Sequence, residues 1–265
     1  MKQAPWFGHL LFNAARLLGR LPLAWLRALG GGFGRLMLAV NSRETHIARR
    51  NLGLIQPELS AEARAVNLKA LMQSTGQGVL ETLAIWTRPR PQVLALVKEV
   101  QGETYLDQAL AQGRGVILAV PHYGNWELLI AYMANRGPFS LVYRVPAKAG
   151  MAVFLNRARS GENVRLVPAE ASAMRPLLRA LQSGEVIGIT PDQQPRMGGG
   201  EFVHFFKRPA LTLSLIAKLA QRADSPVLFA FSERMGDGFR IVVGRRLGLV
   251  VVSRVFVAMS DAGST

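Results

Sequence analysis

The chain has 265 residues, 49% of them apolar, no cysteine, and a formal net charge of +15 from 32 basic and 17 acidic residues. That length and apolar share suit one large domain, or one and a half, with a sizeable core, and the missing cysteines exclude disulfides, thiol catalysis and cysteine-ligated metal sites. Arginine outnumbers lysine 26 to 6; this fits phosphate-bearing partners, because the planar guanidinium grips phosphate through two donors, and it equally fits a GC-rich genome.

Residues 5–40 are apolar but broken by Arg16, Arg20, Arg27 and Arg35. The segment lacks the basic start, short apolar core and small-residue cleavage site of a secretory signal. Arg16, Arg20 and Arg27 recur at helical spacing opposite Leu10, Leu11, Leu17, Leu18 and Leu21, with Trp6 and Trp25 placed for headgroup depth. This predicts a membrane-surface helix with snorkelling arginines, or a shallow tilted span; the alternative is an ordinary core helix docked on the domain. Pro22 is expected to kink the helix or split it in two, and Gly30–Gly32 to end or hinge it.

Residues 41–58 are polar and basic, with a turn at Gln56-Pro57. Ser60 to Ile85 has helical periodicity, with Ser60 as N-cap, closed by Pro89 and Pro91. From about residue 104, helical patterns (104–112, 125–135, 149–159, 171–182, 211–222) alternate with short apolar runs (115–120, 139–145, 164–168, 186–190, 227–231), and a last strand follows at 239–243. Such alternation predicts an α/β fold with a central, mostly parallel or mixed sheet flanked by helices. The expected organisation is a helical, membrane-associating segment over 1–40 and the α/β domain over 41–265.

In open α/β sheets, ligands bind outside the carboxyl ends of the strands. The predicted strands end in Pro121-His122, Tyr143-Arg144 and Pro191-Asp192-Gln193-Gln194. Parallel strands would put a base, a cation and a carboxylate on one rim. The glycine-rich PRMGGGE that follows is a lid candidate. With a helix starting near Asn125, Glu127 falls in its first turn, where the dipole favours a carboxylate. A Glu127 turned back onto the imidazole would fix its tautomer and leave the other nitrogen as general base for direct transfer to a substrate hydroxyl. Free N–H groups at the helix start could hold an oxyanion. The bland alternative is a structural histidine and a solvated first-turn acid. No metal is expected, since the HExxH arrangement is absent, and no nucleic acid, since the arginines are dispersed and no recognition motif occurs.

VPHYGNWE resembles the His-x-x-x-x-Glu motif of the bacterial lipid A biosynthesis acyltransferases, in the wider lysophospholipid-acyltransferase-like superfamily. RRNLGLIQPELSAEAR (49–64), VYR (142–144), RARSGENV (157–164), PDQQP (191–195) and FVHFFKRPALT (202–212) resemble further blocks of that family in order. The resemblance implies a glycerolipid-acyltransferase-like fold and transfer of a fatty acyl chain from acyl carrier protein to a hydroxyl of a lipid A precursor. It implies no cofactor beyond that co-substrate, no covalent enzyme intermediate, and attachment to the cytoplasmic face of the inner membrane through the N-terminal helix. The implied partners are acyl carrier protein, an anionic lipid acceptor and the membrane surface.

By the same resemblance His122 is the general base and Glu127 its orienting partner. Arg144, Arg157 and Arg159 contact phosphate or the carrier arm. Asp192 is an acidic position near the site, pairing with one of those arginines. Phe202, Phe205 and Phe206 wall an acyl tunnel or, alternatively, form a plain core cluster. Two departures stand out: Lys207 occupies a position where the family has glycine, and the family's Trp- and Arg-containing tail has no counterpart in RRLGLVVVSRVFVAMSDAGST (245–265). The alternatives are an acyltransferase acting on another glycolipid or a lysophospholipid, and an inactive membrane-surface member.

Overall fold

The computed structural model describes residues 5–195 and 198–244, so the tail and the middle of the lid candidate lie outside the described residues. Contacts gather the chain into two compact units, one from the described residues of Met1–Leu17 and Ile85–Arg246, the other from those of Leu18–Ala84.

The first unit is an α/β layer structure. Its strands β1 (Val97–Gln101), β2 (Val116–Ala119), β3 (Phe139–Tyr143), β4 (Val164–Pro168), β5 (Val186–Ile189), β8 (Val227–Arg234) and β9 (Phe239–Gly244) form one sheet in the order β1-β9-β8-β2-β5-β3-β4. All pairings are parallel except β8 with β9. The central β2 and β5 are buried along their full length, as apolar strands covered on both faces should be. One face packs against α6 (Glu103–Leu110) and α7 (Glu127–Arg136) through Leu106, Leu118, Leu129, Met133 and Leu141. The other packs against α9 (Met174–Gln182) and α10 (Leu215–Ala223) through Ile117, Leu177, Leu181, Ile187 and Leu219. Helix α8 (Ala149–Arg159) links β3 to β4, and α5 (Arg90–Leu94) precedes β1. Helix α1 (Pro5–Leu18) buries Gly8, Phe12 and Ala15 and leaves Trp6, Leu10 and Leu17 exposed. It therefore docks one face, with Phe12 edge-on to Phe154 of α8.

The second unit is helical: α2 (Leu23–Ala39), α3 (Arg43–Ile55) and α4 (Ala61–Thr87), whose last residues enter the first unit. The split at Pro22 is observed, with Pro22 at the N-cap of α2. The triple glycine neither ends nor hinges α2, which runs through it. Here the glycines permit close approach: a Cβ on Gly30 would lie 2.5 Å from the Gly76 carbonyl oxygen, and one on Gly76 2.1 Å from that of Gly30. Arg27 does not snorkel; its Nε lies 2.5 Å from the fully buried carboxylate of Glu81. The polar 41–58 stretch, given no element by its composition, folds as α3, capped by Ser42.

Two further strand features were not anticipated. VKEVQ forms edge strand β1, and residues 200–213 form a ribbon, β6 (Gly200–Phe205) with β7 (Arg208–Leu213), where helix was expected from 211. Its two-residue loop, Phe206-Lys207, has positive φ at both positions, 49° and 60°. Mirror-image turns of this kind match strand twist and favour Asn-Gly, which explains why Lys207 occupies a glycine-type position.

Two stability outcomes follow. Gly76→Ala forces α2 and α4 apart and should lower urea-denaturation stability by about 1–3 kcal/mol. Lys207→Gly relieves a left-handed side-chain-bearing residue and should raise it, by about 1 kcal/mol; unchanged or lower stability would refute this reading of the turn.

Candidate active site

His122 leaves β2 two residues after Val120, and Asp192 leaves β5 beyond Thr190 and Pro191. Because β2 and β5 are parallel neighbours with Ala119 opposite Ile189, the two residues emerge side by side, each three positions past a paired residue. The His122 backbone N–H donates to Asp192 Oδ2 at 2.7 Å, and ring Nδ1 lies 2.9 Å from Oδ1. The carboxylate accepts both bonds, so Nδ1 carries the proton and Nε2 presents its lone pair outward. Nε2 is 3.3 Å from the side-chain nitrogen of Gln193, a donor consistent with that tautomer. Burial pushes the Asp192 carboxyl up, but the bonds from the His122 ring and backbone outweigh it and hold the group below its ordinary value of 3.8.

The turn between His122 and α7 is fixed by Gly124. It has φ 66°, and an added Cβ would lie 1.7 Å from the Ser232 carbonyl oxygen. The same carbonyl accepts from Asn125 N at 3.0 Å, which ties the turn to β8.

The expected pairing of Glu127 with His122 is corrected by this geometry. Glu127 lies in the first turn of α7, as predicted, but it is buried and its carboxylate is bonded to residues other than His122. Its Oε1 and Oε2 lie 3.1 and 3.0 Å from Arg159 Nε, Oε1 also takes Arg159 Nη2 at 2.5 Å, and Oε2 accepts from Trp86 Nε1 at 2.8 Å. A buried carboxylate needs a charged partner, and Arg159 is the cation in reach. Arg159 in turn lies 4.9 Å over the Trp126 ring, and that ring meets His122 edge-on at 5.2 Å between centroids. Glu127 thus reaches His122 only through Arg159 and Trp126. Asp192, expected to pair with an arginine, holds the histidine instead.

A model of the bacterial lipid A biosynthesis acyltransferases matches residues 3–247. The chain belongs to that family. Curated relatives include a lipid A biosynthesis lauroyltransferase of Escherichia coli K12, 27% identical over 244 residues that cover 90% of this chain and 78% of the relative. A lipid A biosynthesis palmitoleoyltransferase of the same organism is 30% identical over 201 residues, 76% of this chain and 64% of the relative. A phosphatidylinositol mannoside acyltransferase of Mycobacterium tuberculosis is 29% identical over 152 residues, 55% and 48% of the two chains.

In this lipid A acyltransferase family member the remaining sequence candidates fall in three places. Arg144 is exposed on the loop after β3, the strand next to β5, and forms no ion pair among the described residues. Arg157 lies 4.3 Å over the Phe12 ring, with Nη1 3.4 Å from His9 Nδ1. It lines two cavities. One, of about 240 Å³, is cationic, with Arg88, Arg90 and Arg159 beside Glu127; the other, of about 570 Å³, lies among His9, Tyr143, Ala152, Val153 and Asn156. Phe202, Phe205 and Phe206 line neither cavity and form no core cluster; Phe202 and Phe205 are 65% and 62% exposed on β6.

Sequence reasoning missed the roles of Gln193, Trp126 and Trp86. Gln193 stood inside the PDQQP block and Trp126 inside the opening motif, so both were in view without a reason to choose them. Trp86 carried no signal, being 41 residues from its partner.

Asp192→Asn supplies a pH test. A depressed native carboxyl stabilises the fold above its unfolded value, near 3.8, and loses that contribution as pH falls through the lower native value. The stability gap between native chain and variant should be constant above about pH 4–5 and close below it; a gap that widens in acid would overturn the assignment. Arg159→Met leaves Glu127 buried without its cation and should lower stability by about 3–5 kcal/mol, read by chemical denaturation.

Proposed function

We propose that this chain transfers a fatty acyl group from acyl carrier protein to a hydroxyl of a lipid A precursor, with His122 as general base. The observation that carries the reading is the bond of Nδ1 to Asp192, which leaves the Nε2 lone pair at the carboxyl end of a central strand, where the Gln193 amide is its contact until an acceptor hydroxyl replaces it. Nε2 takes the proton of the acceptor hydroxyl as its oxygen attacks the thioester carbonyl. The C–O bond forms, the C–S bond breaks, and the imidazolium returns the proton to the departing thiolate. Atoms and charge balance without a covalent enzyme intermediate. Asp192 stabilises the transient imidazolium, in place of the Glu127 first expected. Glu127 and Arg159 are positioning residues that hold Trp126 against the imidazole ring.

Arg144 and Arg157 remain the cations for acceptor phosphate or the carrier's phosphate-bearing arm; Arg159 is engaged by Glu127. The cavity beside Tyr143, Ala152 and Val153 has apolar lining for part of an acyl chain. Attachment to the cytoplasmic face of the inner membrane fits the exposed Trp6, Leu10 and Leu17 of α1 and the exposed Trp25, Leu29, Phe33 and Leu36 of α2. Among the described residues no single helix is long and apolar enough to cross a bilayer, although α2 and α3 together, bent by 80°, have the length and composition. A second acceptor class, another anionic glycolipid, is favoured by the similarity to the phosphatidylinositol mannoside enzyme.

The test is transfer from acylated carrier protein to a Kdo-bearing lipid A precursor by purified protein. His122→Ala should abolish it. Asp192→Asn should lower kcat by about 10³–10⁴-fold with little change in KM, by analogy with loss of the orienting carboxylate in serine-protease triads. Transfer only to another glycolipid moves the acceptor assignment. Full activity in His122→Ala would sink the mechanism.

A further inference from the structure

The β6–β7 ribbon is unlike the rest of the first unit. It pairs only with itself, and its large apolar side chains point into solvent. Phe202, Val203 and Phe205 are 65%, 46% and 62% exposed. Strand alternation puts Phe202 on one face of the ribbon and Val203 and Phe205 on the other, so both faces carry exposed apolar groups. A half-buried ribbon would expose only one.

The charge at its tip is one-sided. The ribbon's carboxylate, Glu201, lies at the base of β6, whereas the turn end carries Lys207 and Arg208, and those two cations form no ion pair among the described residues. Phe205 stands opposite Arg208 in the register, and the turn itself is Phe206-Lys207. Phe206 packs edge-on against Phe205, 4.7 Å between centroids. The tip therefore combines two aromatic rings with two cations on a two-residue turn, with Phe202 further back on β6.

We propose that the tip of the β6–β7 ribbon inserts into an anionic lipid surface, its phenylalanines entering the acyl boundary and Lys207 and Arg208 meeting lipid phosphates. A protein partner covers one face of a ribbon, whereas a bilayer surrounds both, and both faces here are apolar. The cations add attraction to a negatively charged leaflet. Burial also gives the strained turn a function, since residues held in left-handed geometry concentrate at ligand clamps and similar sites.

The ribbon's base joins the segment that carries Asp192. A Cβ on Gly200, the first residue of β6, would lie 2.8 Å from Pro195 Cγ, three residues after Asp192, and Ser214, just after β7, has its Oγ 3.3 Å from the Gly199 carbonyl oxygen. Insertion of the tip would set the His122 rim close to headgroup level. The inference goes beyond the acyl-transfer reading and rests on the ribbon alone, so either can fail without the other.

The absence of cysteine makes a local test available. Phe205→Cys in the full chain takes one environment-sensitive thiol label; Ala111→Cys, exposed after α6 and ahead of the amino end of β2, is the control. With mixed phosphatidylethanolamine–phosphatidylglycerol vesicles, the label at 205 should shift to the blue, brighten several-fold and be quenched by lipids carrying a shallow nitroxide, while the label at 111 stays unchanged. Phe202→Ser with Phe205→Ser should weaken vesicle binding about tenfold, roughly the worth of one partly buried ring, with circular dichroism unaltered because both rings are exposed. A silent label at 205 on vesicles that bind the chain overturns the proposal. So does a chain that does not bind vesicles, or a label that responds to acyl carrier protein and not to lipid.

Discussion

The parallel ladder between β2 and β5 is the constraint on which the site depends. Ala119 stands opposite Ile189, and parallel neighbours lie about 4.8 Å apart. Two residues three positions further on each strand are therefore delivered at the same height, close enough for Asp192 to take both the backbone N–H and the ring N–H of His122. The chain leaves these two strands toward opposite faces of the sheet: α7, after β2, packs on one, and α10, downstream of β5, on the other. That divergence opens the crevice in which α/β folds bind ligands. Gly124 is the local price of the arrangement, because the turn must pass directly over the Ser232 carbonyl.

Two carboxylates lie near the histidine, and the surroundings of each decide its work. Asp192 is at the rim, partly solvated, and its counter-group is an imidazole that can gain or lose a proton. Glu127 is 5% exposed, and an isolated charge there is costly enough to require a permanent cation. Arg159 is that cation, and its planar face is then free to stack on Trp126. The motif's glutamate is thus paired to Arg159 behind Trp126, and the distant aspartate is the group bonded to the His122 ring.

Much of the fold was legible because short apolar runs and helix-length segments alternate from β2 onward; α8 occupies the predicted 149–159. The elements that escaped did so for identifiable reasons. β1 is an edge strand whose VKEVQ is mostly polar and pairs only with β9. The β6–β7 ribbon has no Asn-Gly or Gly at its turn, so its hairpin signal was missing. Gly30–Gly32 resembled a breaker because the close approach of α4 is invisible in a linear sequence. In the site, the rim positions of His122, Arg144 and Asp192 could be placed from strand ends alone. Their pairing could not: Glu127 is five residues from His122 and Asp192 is 70, and proximity in sequence pointed to the wrong carboxylate. Only the strand order β2-β5, which no local pattern encodes, brings the distant one closer.

The charge balance completes the physical account. The chain has 17 acidic residues, and many are committed as internal counter-ions: Glu81 to Arg27, Glu103 and Asp107 to Arg136, Glu127 to Arg159, Glu99 and Glu233 to Arg240. Those pairs lie along helix seams and sheet edges, where they fix packing and orientation. Arg144, Lys207 and Arg208 form no such pair among the described residues; Arg144 follows the carboxyl end of β3, and Lys207 and Arg208 are at the turn of the ribbon. Paired cations are spent on architecture; unpaired ones create a field, and a field of one sign beside a rim draws in anions before any specific contact forms. On the proposed reading, a lipid whose reactive hydroxyl is attached to a phosphate-bearing headgroup meets both needs of such a rim, a proton donor for His122 Nε2 and negative charge for Arg144.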